Sequence, residues 1–302
     1  MTAKVFIDGE AGTTGLQIRD RLRGRDDIAL VSVAAEHRKD AQARARAFAE
    51  ADVAILCLPD AAAIEAVGLA GACRIIDAST AHRVAPGWVY GMPELPGQAE
   101  LIAGADRVAN VGCYATGSIA LIRPLRDAGL IGADDALTLT GTSGYTGGGK
   151  ALIAEYDAGT APAYFLYATG QDHKHIPEIM EYGRLSRHPA FQPAVGNYAQ
   201  GMIVQLHLHR DALAGRPDKA AVEQVFRAFY AGAQFIEVEA APARLDPRAL
   251  NGSNRMQITV HGSDAAGVLS VTATLDNLGK GASGAAVQNL NLMIGADEAA
   301  GL

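Results

Sequence analysis

A few residues into the chain, a short apolar run, Val5–Asp8, breaks into Gly9-Glu10-Ala11-Gly12-Thr13-Thr14-Gly15, and a helical pattern over Leu16–Arg23 follows. Glycines at the first strand-to-helix turn let backbone approach a pyrophosphate, which rests on the free N–H groups of the helix N-terminus. The G-x-x-G-x-x-G spacing departs from the usual G-x-G-x-x-G, and a plain glycine-rich turn is the competing reading. Its place at the opening turn favours the dinucleotide.

The rest of the first third repeats the strand–helix rhythm. Ile28–Ala34, Val53–Leu58 and Arg74–Asp77 read as strands, and Ala41–Ala51 and Ala61–Ala70 as helices. Val53-Ala54-Ile55-Leu56-Cys57-Leu58 is apolar without interruption, as a parallel strand buried on both faces requires. This predicts an α/β fold with a Rossmann-like doubly wound parallel sheet.

After about residue 135 the period changes from continuous to alternating. Met202, Val204, Leu206 and Leu208 alternate with Ile203, Gln205, His207 and His209, and the stretches Met256–His261 and Leu269–Leu275 do the same. Period-2 alternation is the mark of a sheet with one buried face, typically antiparallel. Asp218–Ala231 between them has helical spacing through Val222, Val225, Phe226 and Phe229. An α+β substrate domain with a largely antiparallel sheet is expected. Val287, Leu290 and Ile294 predict a last helix that returns to the first domain. The expected organisation is a dinucleotide-binding domain over 1–112, completed by 282–302, and a catalytic, substrate and oligomerisation domain over 113–281.

Composition narrows the function classes. Hydrophobic residues at 49% and charged residues at 20% of 302 supply two cores and exclude disorder. A net charge of −7 argues against a nucleic-acid binder. No apolar stretch reaches the ~18 residues of a membrane span, and the first residues lack the apolar run of a signal peptide. Three cysteines, an odd number, argue for a reducing compartment. A cytoplasmic protein acting on a small molecule is expected.

Cys113, in Asn110-Val111-Gly112-Cys113-Tyr114-Ala115-Thr116-Gly117, precedes an apolar helix running to about Ala128. A cysteine at a helix N-terminus gains thiolate character from the helix dipole. Cys57 and Cys73 lie in or beside buried strands, where sulfur usually fills core. His173-Lys174-His175-Ile176-Pro177-Glu178 supplies two imidazoles and a carboxylate, with Pro177 and Glu178 suited to a first helical turn. Either histidine can serve as base to the cysteine. His175, three residues before Glu178, is the preferred one, which leaves His173 to the substrate or phosphate. No further ligands complete a metal site around this pair, so no metal is expected.

Two more stretches bear on ligands. Glu36, after the second strand, suits the ribose 2′-OH of NAD, whereas Arg38 and Lys39 favour the 2′-phosphate of NADP. Gly144-Tyr145-Thr146-Gly147-Gly148-Gly149-Lys150-Ala151 nearly matches a P-loop but has Ala where the Mg²⁺-binding Ser/Thr belongs. A glycine loop offering N–H groups to an anionic substrate is the better reading.

Together with Asp77-Ala78-Ser79-Thr80-Ala81-His82-Arg83, Tyr90-Gly91-Met92-Pro93-Glu94-Leu95 and Gly279-Lys280-Gly281-Ala282-Ser283-Gly284 running to Asn289, these motifs cover essentially the whole chain. In that combination the chain resembles the N-acetyl-gamma-glutamyl-phosphate reductase family in its shorter bacterial form. Longer members carry Pro before Gly-Cys, where this chain has Val111. The resemblance implies NADPH-dependent reduction of an acyl phosphate to an aldehyde through a Cys113 thioester, with phosphate released, in arginine biosynthesis. It implies catalytic roles for Cys113, His175, His173 and Glu178. Cofactor contacts are expected from Gly9, Gly12, Thr13, Thr14, Gly15, Arg38, Ser79, Gly281 and Asn289, and substrate contacts from Arg83, Ser143 and Gly144. A homo-oligomer, dimer or tetramer, is expected. The competing readings are a sister acyl-phosphate reductase such as aspartate-semialdehyde dehydrogenase, a P-loop-like kinase, and a non-catalytic NADP-sensing regulator.

Overall fold

The computed structural model describes residues 2–302. The chain divides into two units, 1–112 with 282–302, and 113–281.

In the first unit the elements follow as β1 (Ala3–Asp8), α1 (Thr13–Leu22), β2 (Ile28–Val31), α2 (Ala41–Glu50), β3 (Val53–Leu56), α3 (Asp60–Leu69), β4 (Arg74–Asp77), β5 (Val89–Gly91), α4 (Gln98–Gly104) and β6 (Arg107–Asn110). The strands form one sheet in the order β2-β1-β3-β4-β6-β5, with every pairing parallel. Successive residues of β1 serve opposite layers. Val5 and Ile7 pack with Ile18 and Leu22 of α1 and with Val287 and Leu290 near the C-terminus. Phe6 packs with Phe48 of α2 and with Ala63 and Ala66 of α3. Both faces are therefore core, which explains the unbroken apolar run in β3.

Element ends differ from the sequence reading by a few residues. β2 stops at Val31 because Ala35–His37 turns into a short 3₁₀ helix. β5, α4 and β6 were not legible as separate elements; β5 has only three residues, too few to display a period.

The second unit opens with α5 (Cys113–Asp127), of which residues 114–125 are buried. Pro124 within this helix cannot donate to the carbonyl of Ala120, and the Tyr230 hydroxyl donates there instead at 2.9 Å. Then come β7 (Thr138–Gly144), α6 (Gly149–Asp157), β8 (Tyr164–Leu166), α7 (Ile176–Gly183), β9 (Ala190–Gly196), β10 (Met202–His209), α8 (Lys219–Phe229), β11 (Ile236–Glu239), β12 (Met256–Ser263) and β13 (Val268–Leu275). The sheet order is β11-β12-β13-β10-β7-β9-β8. It is a mixed sheet, because β7 pairs with β9 and β11 with β12 in parallel while the other pairings are antiparallel. Register puts Met202, Val204 and Leu206 opposite Leu275, Ala273 and Val271. This apolar face packs on α5 and α8, whose Val222 and Phe226 are fully buried. Truncating one such residue to alanine costs ~2–5 kcal/mol. The last helix, α9 (Gly284–Ile294), belongs to the first unit and contacts α1 and α4.

Candidate active site

In the second unit Cys113 is the first residue of α5. The next residue, Tyr114, is buried and donates its hydroxyl to Ala194 O at 2.6 Å. Burial is the main cause that raises the phenols of Tyr114 and Tyr167, and the Cys113 sulfur adds to both shifts. The other thiols are unsuited to attack. Burial, with the nearby carboxylates of Asp77 and Asp8, pushes Cys57 up to about 12, and burial pushes Cys73 up to about 11.

His173 and His175 are both buried, and their rings meet edge to face with centroids 4.6 Å apart. Pro177 lies in the first turn of α7, and His175 is that helix's N-cap. The His175 amide donates to His173 Nδ1 at 3.1 Å, and His173 Nε2 lies 3.2 Å from the Tyr167 hydroxyl. Because Nδ1 accepts, the proton of neutral His173 sits on Nε2 and is donated to Tyr167. The Tyr167 and Tyr114 rings lie with centroids 6.4 Å apart, and the Tyr114 proton goes to Ala194 O. His173 is thus held through both ring nitrogens. His175 Nε2 faces Glu178 Oε1 at 4.0 Å, and Glu178 is 1% exposed, so a buried carboxylate stands beside this imidazole.

Behind the cysteine stands Gly281. A Cβ there would lie 2.7 Å from Cys113 Cβ, closer than such carbons approach. Ser143 is buried at the end of β7 and donates to Gly144 O at 3.0 Å. Gly144, Tyr145 and Thr146 donate their backbone N–H groups to Gly201 O, Tyr198 O and Ala199 O. A Cβ at Gly144 would meet Ala199 O at 2.6 Å, which makes this glycine a packing requirement against the 198–201 turn.

In the first unit the three turn glycines divide by cause. Gly9 has φ +93°, and a Cβ there would strike Cys57 O at 2.4 Å; at Gly15 it would strike Gly9 O at 2.5 Å. Gly12, the N-cap of α1, meets nothing closer than 3.3 Å. Packing therefore requires Gly9 and Gly15, and Gly12 keeps a cradle ahead of Thr13 and Thr14 that fits a pyrophosphate. A cavity beside the loop is lined by Gly9, Glu10, Ala11, Ser32, Arg38 and Arg44. Arg38 donates to Glu10 Oε1 at 2.7 Å, and Arg44 is paired with buried Asp8. Asn289 donates to Gly91 O and Asn110 Oδ1, while its buried Oδ1 has no hydrogen-bond partner in the protein, an acceptor that suits an amide-bearing cofactor. Ser79 donates to Asp77 Oδ2 at 2.7 Å within its own turn. Buried Arg83 directs Nε to Asn110 O and Nη2 to Ala78 O.

Cys113, His173, His175, Glu178, Ser143, Gly144 and Gly281 thus fall in one unit, and the glycine turn, Arg38, Ser79, Arg83 and Asn289 in the other. Sequence reasoning missed Tyr167 and Glu10. The cue for Tyr167 was the aromatic run Tyr164-Phe165-Leu166-Tyr167. Among the described residues, no group of three His, Cys, Asp or Glu side chains is placed to hold a metal ion, and no helix is long and apolar enough to cross a membrane.

Residues 4–103 match the family "Semialdehyde dehydrogenase, NAD binding domain", and residues 113–277 match "Semialdehyde dehydrogenase, dimerisation domain". Proteins of Brucella anthropi and Brucella canis, each 51% identical over 98% of this chain and 99% and 100% of their own, are named N-acetyl-gamma-glutamyl-phosphate reductase. Among solved structures, aspartate semialdehyde dehydrogenase II from Vibrio cholerae superposes with a TM-score of 0.73 at 16% identity, covering 97% of this chain and 99% of that one. The aspartate semialdehyde dehydrogenase with NADP from Candida albicans gives 0.67 at 16% identity, covering 97% of this chain and 99% of that one.

Proposed function

Since the chain belongs to the semialdehyde dehydrogenase family, we propose that it reduces N-acetyl-L-glutamyl 5-phosphate to N-acetyl-L-glutamate 5-semialdehyde and phosphate, with NADPH, in arginine biosynthesis. The observation that carries this reading is a cysteine opening a buried helix in the same unit as two buried imidazoles and a buried carboxylate.

The chemistry follows from those groups. The Cys113 thiolate attacks the acyl-phosphate carbonyl, the C–O bond to phosphate breaks, and a thioester remains on the sulfur. The Cys113 backbone N–H, at the positive end of α5, would steady the oxyanion. His175 takes the thiol proton and Glu178 steadies the resulting imidazolium. His173, committed through both ring nitrogens, orients Tyr167 and the substrate. The reduced nicotinamide, when bound, supplies the hydride that converts the thioester to a thiohemiacetal. Collapse of that adduct releases the aldehyde and returns the proton to sulfur.

Gly12, Thr13 and Thr14 would hold the pyrophosphate, Arg38 the 2′-phosphate, and Asn289 Oδ1 the carboxamide. Arg83 is kept as the phosphate-binding candidate. The protein works as a homo-oligomer assembled through the 113–281 unit. Its three cysteines are free thiols, in keeping with the cytoplasm.

Incubating the protein with N-acetyl-glutamyl phosphate and NADPH, while following cofactor absorbance and phosphate release, tests the reading. One phosphate released per NADPH oxidised is expected. Turnover only with aspartyl phosphate would assign the sister activity. Tight NADPH binding without turnover would make the protein a sensor.

A further inference from the structure

Asp276 follows β13 directly and is fully buried. Its carboxylate serves three chain segments at once. Oδ1 accepts the Leu278 amide at 2.9 Å, and Oδ2 accepts both the Gly252 amide at 2.7 Å and the Gln200 side-chain amide. Its carbonyl accepts the Gly281 amide at 3.0 Å, which closes the 276–281 turn. Gly279 fits that turn only without a side chain, since a Cβ would lie 2.1 Å from Ser253 O. The turn ends with Gly281 against Cys113, a Cβ there being 2.7 Å from Cys113 Cβ and 3.1 Å from its Cα. The neighbouring Asn277 accepts the Gly201 amide at 2.7 Å and donates to the Thr146 hydroxyl at 3.3 Å.

A buried carboxylate is expensive to leave unsatisfied, and three donors aimed at one carboxylate fix the turn that carries it. From this we infer that Asp276 is a positioning residue for the nucleophile. By fastening the 276–281 turn to the 200 and 252 loops, it presses Gly281 against Cys113 and fixes the direction of the thiol. The inference rests on Cys113 being the nucleophile.

Asp276→Asn tests it with little change of shape. The new NH₂ group, opposite Leu278, faces two donors and opens the Oδ2 side of the cluster. In the folded variant, kcat is expected to fall at least tenfold with KM for both substrates within threefold. Iodoacetamide alkylation of Cys113, measured without substrate and located by mass spectrometry, should slow at least threefold. A merely structural role would lower Tm and leave the alkylation rate of folded protein unchanged. Gln200→Glu should impair the wild type, where it sets carboxylate against carboxylate, yet improve Asp276→Asn by accepting from the new amide.

A kcat within threefold of wild type, or a loss of kcat with unaltered alkylation, overturns the inference. If Asp276→Asn does not fold, Gln200→Ala carries the test by removing one of the three donors. A threefold loss of kcat with slower alkylation is then expected, and no change in either overturns the inference. Cys113→Ala separates the two readings: if it stays active, the nucleophile assignment fails and the positioning role fails with it.

Discussion

His173 accepts the backbone N–H of His175 through Nδ1 at 3.1 Å, so one histidine of the pair fixes the tautomer of the other ring by two-residue spacing alone. Protonating His173 at Nδ1 would break this bond, whereas His175 keeps Nε2 toward Glu178 at 4.0 Å. His175→Asn is therefore expected to lower kcat by ~10²–10⁴-fold, the usual contribution of a general acid–base group. His173→Asn should act mainly on KM for the acyl phosphate. Steady-state kinetics of the two variants checks this, and the reverse pattern would move the base to His173.

Thiol alkylation should single out one cysteine. Cys73 and Cys57 are raised to about 11 and about 12, so their thiolates are lost as pH falls below those values. At pH 8 each is less than about one part in a hundred ionised. Native protein treated with iodoacetamide at that pH should take up one label, on Cys113, and lose activity in step. Labelling of Cys57 or Cys73 at a comparable rate would show that their thiols are not held this high in solution.

Cys113→Ser is expected to abolish reduction and leave NADPH binding intact. A serine hydroxyl lacks the pKa that makes a thiolate available near neutrality. Retention of more than a few per cent of activity, with binding followed by fluorescence titration, would exclude a thioester on this residue.

How much of this was legible follows the range of each interaction. The parallel sheet could be read from β3 because burial on both faces leaves an unbroken apolar run, and β10 was bounded to the residue by its alternation. Cys113 could be read because a helix start is a local signal. The parallel pairings of β7 with β9 and β11 with β12 could not, since alternation reports a buried face and not a direction. Gly144 shows a similar limit: sequence alone does not separate a glycine packed against residue 199 from one placed for a ligand. Tyr167 and Asp276 escaped because their partners lie up to 76 residues away in sequence.

Arg38 bears on cofactor choice. Its guanidinium meets Glu10 at 2.7 Å beside the cavity, and the pair is partly exposed, so its own contribution to stability is small. A 2′-phosphate dianion is the stronger partner for that guanidinium. Wild type should prefer NADPH to NADH in kcat/KM. Arg38→Ala should cost ~10–100-fold with NADPH, the worth of a charged hydrogen bond, and little with NADH. Equal kcat/KM for the two cofactors in the wild type would assign Arg38 to the solvated surface.

Gly281 was expected among the cofactor contacts, and its surroundings suggest a different duty. An added methyl would sit 2.7 Å from Cys113 Cβ and 3.3 Å from Asp276 O, so it can move only by displacing the nucleophile or opening the turn. Cys113 begins a helix whose next twelve residues are buried, which leaves the backbone there little room to yield. Displacement of a reacting atom by about 1 Å costs on the order of 10²-fold in rate. Gly281→Ala should therefore lose at least that much in kcat while KM for NADPH changes less than threefold. A residue that served the cofactor would show the opposite, a raised KM for NADPH with kcat largely kept. Measuring both constants for one substitution decides between the duties.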